Sequence, residues 1–310
     1  MWFKNLKIYQ FSQNFELSDE LLDEKLLSAA FSPCTQHQIN SYGWTSPLGK
    51  ISNNTNQMMV HASKDFVLFC AKEEQKLLPA SVINDLLQEK IADIEAKEGH
   101  KPGKKQRDQL KEEIVIDLLP RAFSRFYQNF AYIDRVNQFL IVDAASSNKA
   151  EQLTEFLRKT LGSLPIVPIK PNKPIELILT SWLSEQNIPQ QLITGQSCEL
   201  KDPGEDGGTI RCSKHDLNSD EIKTHIDAGK LVTKLALTWQ DKIEFILHDD
   251  LSIKRVRLTD TFLEQLDDET DEDALARFDA DFNLMALEFS QFIPSLLSLF
   301  NLENSVESTA

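Results

Sequence analysis

Three strand-like runs, KLVTKLALTW (230–239), KIEFILHD (242–249) and SIKRVRLT (252–259), follow one another with two residues between neighbours. Connections that short can only be hairpins, because parallel strands need a crossover of a dozen residues or more. This stretch is therefore an antiparallel meander. Two further hairpins are expected. QMMVHA and DFVLFCAK flank the turn Ser63-Lys64-Asp65, and FYQNFAYID and QFLIVDAA flank Arg135-Val136-Asn137. The opening WFKNLKIYQF reads as a strand with Leu6 and Ile8 on one face and Lys7 and Tyr9 on the other.

Helical periodicity fills the gaps between these strands. Ser18 caps a helix through about Phe31, with Leu21, Leu22, Leu26 and Leu27 as its apolar face. A loop containing Pro33, Gly43, Pro47 and Gly49 follows. Pro79 to Glu98 is helical through Val82, Leu86, Ile91 and Ile94, and a second helix runs from Lys104 to Leu119, where Pro120 stops it. With GHKPGKK between them, the two form a projecting helical hairpin. A helix is expected over 148–161. Pro165, Pro168, Pro171 and Pro174 suggest an extended polyproline connector. PIELILTSWL is a helix or a buried strand, DPGEDGG a tight loop, and 218–229 a helix; FNLMALEFSQFI is a terminal helix before a frayed NSVESTA. The fold class is α+β, with antiparallel sheets and helices segregated in blocks. Residues 1–75 and 127–170 make a central α+β region, 76–126 a finger, and 171–310 a second α+β region with an acidic helical C-terminus.

With 310 residues, 41% of them hydrophobic, the chain can bury a sizeable core. No apolar run reaches the length of a membrane span and the N-terminus lacks a signal-peptide pattern, so a cytoplasmic protein without membrane partners is expected. The four cysteines, Cys34, Cys70, Cys198 and Cys212, form no CxxC pair and are read as reduced thiols. The net charge of −15 argues at first against nucleic acid. Residues 259–310, however, hold thirteen Asp and Glu against the single basic residue Arg277, so they carry −12 and the rest of the chain only −3. Such segregation leaves room for a local cationic surface.

Catalytic signatures are missing: no GxxxxGK[ST], GxGxxG, GxSxG or HExxH occurs. His248-Asp249-Asp250 is read as a structural or solvated turn and the acidic run Asp267–Asp273 as a solvated helix start or linker. No catalytic residue, metal site or cofactor is therefore assigned. Cations do cluster. Lys97, Lys101, Lys104, Lys105, Arg107 and Lys111 fall within fifteen residues that hold only Glu98 and Asp108 as acids. Arg121 and Arg125 interleave with Phe123, Phe126 and Tyr127. Lys254, Arg255 and Arg257 lie on one strand, where strict alternation sets Lys254 and Arg255 on opposite faces.

Several blocks in this sequence, WFKNL (2–6), KEEQKLLP (72–79), LLPRAFSRF (118–126), LRKTLGSLPIVP (157–168), EDGGTIR (205–211), AGKLVTKLALTW (228–239) and RFDADF (277–282), resemble the bacterial RdgC family of recombination-associated proteins. The resemblance implies a nucleoid-associated, sequence-nonspecific binder of double- and single-stranded DNA. It also implies a homodimeric ring closed by two self-contacts, and restraint of the recombinase RecA. It assigns Phe123 to a ring-closing contact and Arg121, Arg211, Lys214 and Lys76 to DNA, with His215 at the dimer interface. The family pattern carries more lysine and a glutamine where this chain has Cys212, Ser213 and His215. The alternative is a protein-interaction module that inhibits the recombinase by direct contact. A metal-dependent nuclease built on His248 and Asp249 is the weakest reading, because no spaced ligand set supports it.

Overall fold

The computed structural model describes residues 2–51, 58–204, 207–265 and 273–300. In chain order the elements are β1 (Asn5–Phe11), α1 (Asp19–Ser28), β2 (Asn40–Thr45), β3 (Val60–Ser63), β4 (Phe66–Lys76), α2 (Ala80–Glu98) and α3 (Lys104–Leu118). There follow β5 (Ser124–Asp134), β6 (Phe139–Asp143), α4 (Ser147–Leu161), β7 (Ile166–Pro168), α5 (Ile175–Ser184), β8 (Leu192–Lys201), β9 (Thr209–Ser213) and α6 (Asp220–Asp227). The chain ends with β10 (Leu231–Trp239), β11 (Ile243–His248), β12 (Ile253–Leu258), α7 (Asp260–Gln265) and α8 (Ala274–Ser298). The fold is α+β, and its strands join one large antiparallel sheet in the order β2-β4-β5-β6-β1-β12-β11-β10-β8-β9, with β3 beside β4 and β7 beside β1. β1 is the seam. It pairs with β6 over five residues and with β12 only at Asn5↔Lys254 and Leu6↔Ile253.

Helix α8 binds the two halves of this sheet together. Its buried residues Phe282, Met285, Ala286, Phe289, Phe292, Ile293 and Leu296 recur at intervals of three and four, the spacing of one broad helical face. Phe282 meets Tyr132 of β5, whereas Phe292 meets Trp239 of β10 and Phe245 of β11. Each such ring removed from water contributes about 1.5–3 kcal/mol. Pro294 lies inside α8, where it lacks the N–H that would bond the Ser290 carbonyl. Asn137 Nδ2, in the β5–β6 turn, donates to that carbonyl instead at 3.1 Å. The turn expected at Arg135-Val136-Asn137 is thus tied to the central helix. Buried Asp134 accepts the backbone N–H groups of Val136 and Asn137 at 2.9 Å within it.

A second core lies on the opposite face of the first half-sheet. Val67, Phe69, Ala131, Ile133, Leu140 and Val142 pack there with Leu22 and Leu26 of α1 and Leu153 and Leu157 of α4. Only Leu22 and Leu26 of the four leucines expected on α1 are buried; Leu21 and Leu27 are exposed. Beyond the cores, β4 and β5 pair without interruption from Phe66↔Asp134 to Lys76↔Ser124 and lead into α2 and α3. These two helices form the expected hairpin, with Ile83, Ile91 and Ile114 buried between and beneath them.

Three expectations change. The Gly43 loop contains β2, and a side chain at Gly43 would bring Cβ to 2.4 Å from the Phe31 backbone, so glycine permits the close approach of the segment after α1. The proline connector is partly a strand, because β7 pairs with β1 at Tyr9↔Pro168 through Phe11↔Ile166. Strands β8 and β9 were not expected at all. PIELILTSWL resolves to helix α5. The acidic run at 267–272, the terminal NSVESTA and, within DPGEDGG, Glu205 and Asp206 lie outside the described residues.

Candidate nucleic-acid interface

The first half-sheet is covered by helices on both faces, but the second half is covered on one. Along β10, Val232, Leu235, Leu237 and Trp239 turn into the core and Lys234 turns out. On β11, Ile243, Phe245 and Leu247 turn in and Glu244, Ile246 and His248 turn out. This is the alternation of an antiparallel sheet with one packed and one open face.

Strand β12 breaks the alternation to the advantage of the open face. Its register against β11 shifts between Glu244↔Arg257 and Ile246↔Lys254, so Arg255 and Val256 together oppose the single residue Phe245. Arg255 adopts φ 53°, the left-handed region, which marks a β-bulge. Ile253 and Val256 remain buried, and Lys254, Arg255 and Arg257 all emerge on the outer side. The expectation that Lys254 and Arg255 oppose each other is therefore corrected by one inserted residue.

Two adjoining grooves line this face, and together they hold Arg211, Lys214, Lys234, Lys254, Arg255 and Arg257 against the carboxylates Glu199 and Glu244. Glu199 accepts from Arg211 and Lys234 at 2.7 Å each. Burial pushes its carboxyl up, but these two cations outweigh it and hold the carboxyl below its ordinary range. Arg257 pairs with Glu244. Lys214, Lys254 and Arg255 make no ion pair among the described residues. Burial, then the adjacent Lys254 and Lys234, lower the His248 imidazole to about 4, so it is neutral at pH 7. The cations stand on strands and on one turn, where Lys214 takes φ 55° and the next N–H, that of His215, bonds the Gln196 carbonyl at 3.1 Å.

The remaining assigned residues sit elsewhere. Lys76 ends β4 with its side chain only 14% exposed, 3.8 Å from buried Glu74, which also accepts from Ser124 Oγ and from the Cys34 N–H. It serves the base of the hairpin rather than an open surface. Arg121 is exposed at the end of the single helical turn Leu119–Arg121. Phe123 is 83% exposed, and Leu77, Ile116 and Phe126, each close to it in the chain or on the elements that meet at the hairpin's base, are about half exposed. Lys72 lies between the rings of Phe31 and Phe126 at 4.7 and 4.8 Å, while Arg125 and Lys149 approach Tyr127 at 4.8 and 4.4 Å. The structure thus groups Arg211 and Lys214 on the open face and leaves Lys76, Arg121 and Phe123 in the other half of the sheet.

His215 follows Lys214 and is held by its neighbours. Its Nδ1 meets the Asp216 carbonyl at 2.9 Å and its Nε2 the Glu221 carboxylate at 2.8 Å. Both contacts favour the imidazolium and raise the pKa above the ordinary 6.5. A group raised on folding adds stability that is fully present below its unfolded pKa and lost as pH rises past the folded value. An NMR titration is expected to find His215 above 6.5, and Glu221→Gln is expected to lower it. A value unchanged by that substitution would show that the ion pair does not form in solution.

Of His248, Asp249 and Asp250, the last serves structure. Asp250 accepts from Lys7 at 2.7 Å and from the Ser252 N–H at 3.0 Å, closing the β11–β12 turn. Among the described residues no three or more His, Cys, Asp or Glu side chains are grouped to hold a metal ion. No helix there is long and apolar enough to cross a membrane.

A family model described as "Putative exonuclease, RdgC" matches residues 1–303. This chain belongs to the RdgC family. It is 46% identical to the recombination-associated protein RdgC of Aeromonas hydrophila over 298 residues, covering 96% of this chain and 97% of that protein. It is 46% identical to that of Psychromonas ingrahamii over 306 residues, covering 99% and 100%. It is 45% identical to that of Yersinia enterocolitica over 297 residues, covering 96% and 97%. These RdgC relatives are named for recombination, whereas the family description names a nuclease.

Proposed function

We propose that this RdgC-family chain binds DNA without sequence preference, encircles it as a homodimeric ring and restrains RecA-dependent recombination by occupying DNA. The observation that carries the reading is the open sheet face, with six cations against two carboxylates in a protein of net charge −15. Phosphates are the partners such a face fits, since each neutralised phosphate releases counterions. Its cations lie on strands and a turn, so no recognition helix is offered to a groove; contacts of this kind position a protein on the backbone without reading bases. The exposed Phe123 offers an apolar anchor for one self-contact. The acidic C-terminal stretch is accommodated if it lies away from the DNA. Nucleoid association follows from the same activity.

Binding to a random-sequence duplex across a salt series, with light scattering in the same buffer, tests the reading. About five neutralised phosphates give a log–log slope near −4.5. Lys214→Ala is expected to reduce that slope by up to about one unit on every sequence. Absence of binding even at low salt would overturn the clamp and leave direct contact with the recombinase as the better account.

A further inference from the structure

Strands β8 and β9, which the sequence did not reveal, bring two distant cysteines opposite each other. Cys198 and Cys212 are direct cross-strand partners in a ladder that runs unbroken from Ser197↔Ser213 to Lys201↔Thr209. The Asp202 N–H donates to the Gly208 carbonyl at 3.1 Å, which makes that the hydrogen-bonded kind of pair. Counting back by twos gives Cys198 and Cys212 the same kind, with Cα atoms about 5.5 Å apart. A disulfide needs about 4.4–6.8 Å. Both side chains lie on the core side of the sheet, Cys198 buried and Cys212 partly exposed, and the Cys198 thiol has the Cys212 side chain as a hydrogen-bonding neighbour.

We propose that Cys198 and Cys212 form a reversible disulfide when the protein meets a peroxide. Cys212, the more accessible sulfur, attacks one oxygen of the peroxide as its thiolate. The O–O bond breaks, Cys212 becomes a sulfenic acid, and one water leaves. The Cys198 thiolate then attacks the Cys212 sulfur, the S–O bond breaks, and the oxygen leaves as a second water once protonated. Two thiols and one peroxide thus give one disulfide and two waters. Burial first, and then the charge of Cys212, push the Cys198 thiol up to about 12.

The strand at stake lies at the sheet's margin. β9 is the edge of the sheet and, among the described residues, pairs with β8 alone. Cβ atoms of facing residues stand about 4.5–5.5 Å apart, and a disulfide draws them to about 3.5–4.5 Å. Closure therefore pulls β9 inward by roughly 1 Å and leaves a strained bond that a dithiol readily reduces. β9 carries Arg211 and leads directly into Lys214 and His215. Oxidation at this pair thus acts on the part of the open face that holds Arg211 and Lys214. Cys70 faces Thr45 and Phe130 across its two strand pairings, and Cys34, outside the strands, lies against Glu74.

The pairing is tested on the full-length protein by hydrogen peroxide titration, alkylation with N-ethylmaleimide after unfolding, and non-reducing peptide mass spectrometry. The expected result is a 198–212 cross-linked peptide, two hydrogens lighter than its parts, that disappears with dithiothreitol and in Cys212→Ser. A Cys34→Ser, Cys70→Ser variant is expected to form it equally well. Oxidation of Cys212 to the sulfinic acid while Cys198 remains alkylatable would overturn the proposal, as would a Cys212 link between chains only. The chemical readout stands whether or not the open face binds DNA. If it does, the oxidised protein is expected to show a changed salt slope.

Discussion

Combining Lys254→Ala with Arg255→Asn is expected to weaken binding to a random-sequence duplex about 60-fold at 0.1 M salt and to lower the salt slope by about 1.8. Each phosphate contact contributes about 0.9 to the slope, which amounts to about eight-fold in affinity between 0.1 M and 1 M. Both side chains project from the open face, and neither has an ion pair among the described residues that would leave a partner exposed. Asparagine is chosen at 255 because it tolerates the left-handed backbone of the bulge. The fold should therefore survive, with a thermal midpoint within a few degrees of wild type, and the loss should be equal on all sequences. Binding with an unaltered slope would show that these cations face solvent and not phosphate.

Phe123→Ser is expected to weaken self-association about 30-fold or more while leaving the folded chain intact. The ring is 83% exposed within one chain, so its removal opens no cavity there. If it is the anchor of a self-contact, it becomes buried on assembly, and truncating such an aromatic costs about 2 kcal/mol or more. Sedimentation over a concentration series reads the dissociation constant, and thermal unfolding at low concentration reads the single chain. In the clamp, DNA retention should fall with dimerisation, most visibly on circular DNA, which has no ends to escape from. A dimer of unchanged affinity would remove Phe123 from the interface.

Much of the fold was legible because its signals are local. Hairpins announce themselves by runs separated by two or three residues, and α2 and α3 by periodicity and by Pro120 after them. Strands β8 and β9 were not legible. LITGQSCELK holds Gly195 and five polar residues, and only the neighbours on either side make it a strand. At Gly195 a Cβ would lie 2.8 Å from the Ala236 side chain, a fit that exists only after β10 is in place. The cationic face failed at a single residue. Alternation is a sound rule for an isolated strand, but the bulge at Arg255 depends on how β12 registers against β11.

The amino-acid sequence by itself determined the class of fold, the helical hairpin, the segregation of acid into the last fifty residues and the family to which the chain belongs. Each of these rests on neighbours in the chain or on blocks of residues that survive as words. Tertiary structure alone decided that one sheet spans both halves, that half of it keeps an open face, and that Lys234, Lys254 and Arg255 stand there with Arg211 and Lys214. It alone set Cys198 against Cys212. These are facts of register between segments remote in sequence, and register is fixed by which faces α8 and α4 can bury.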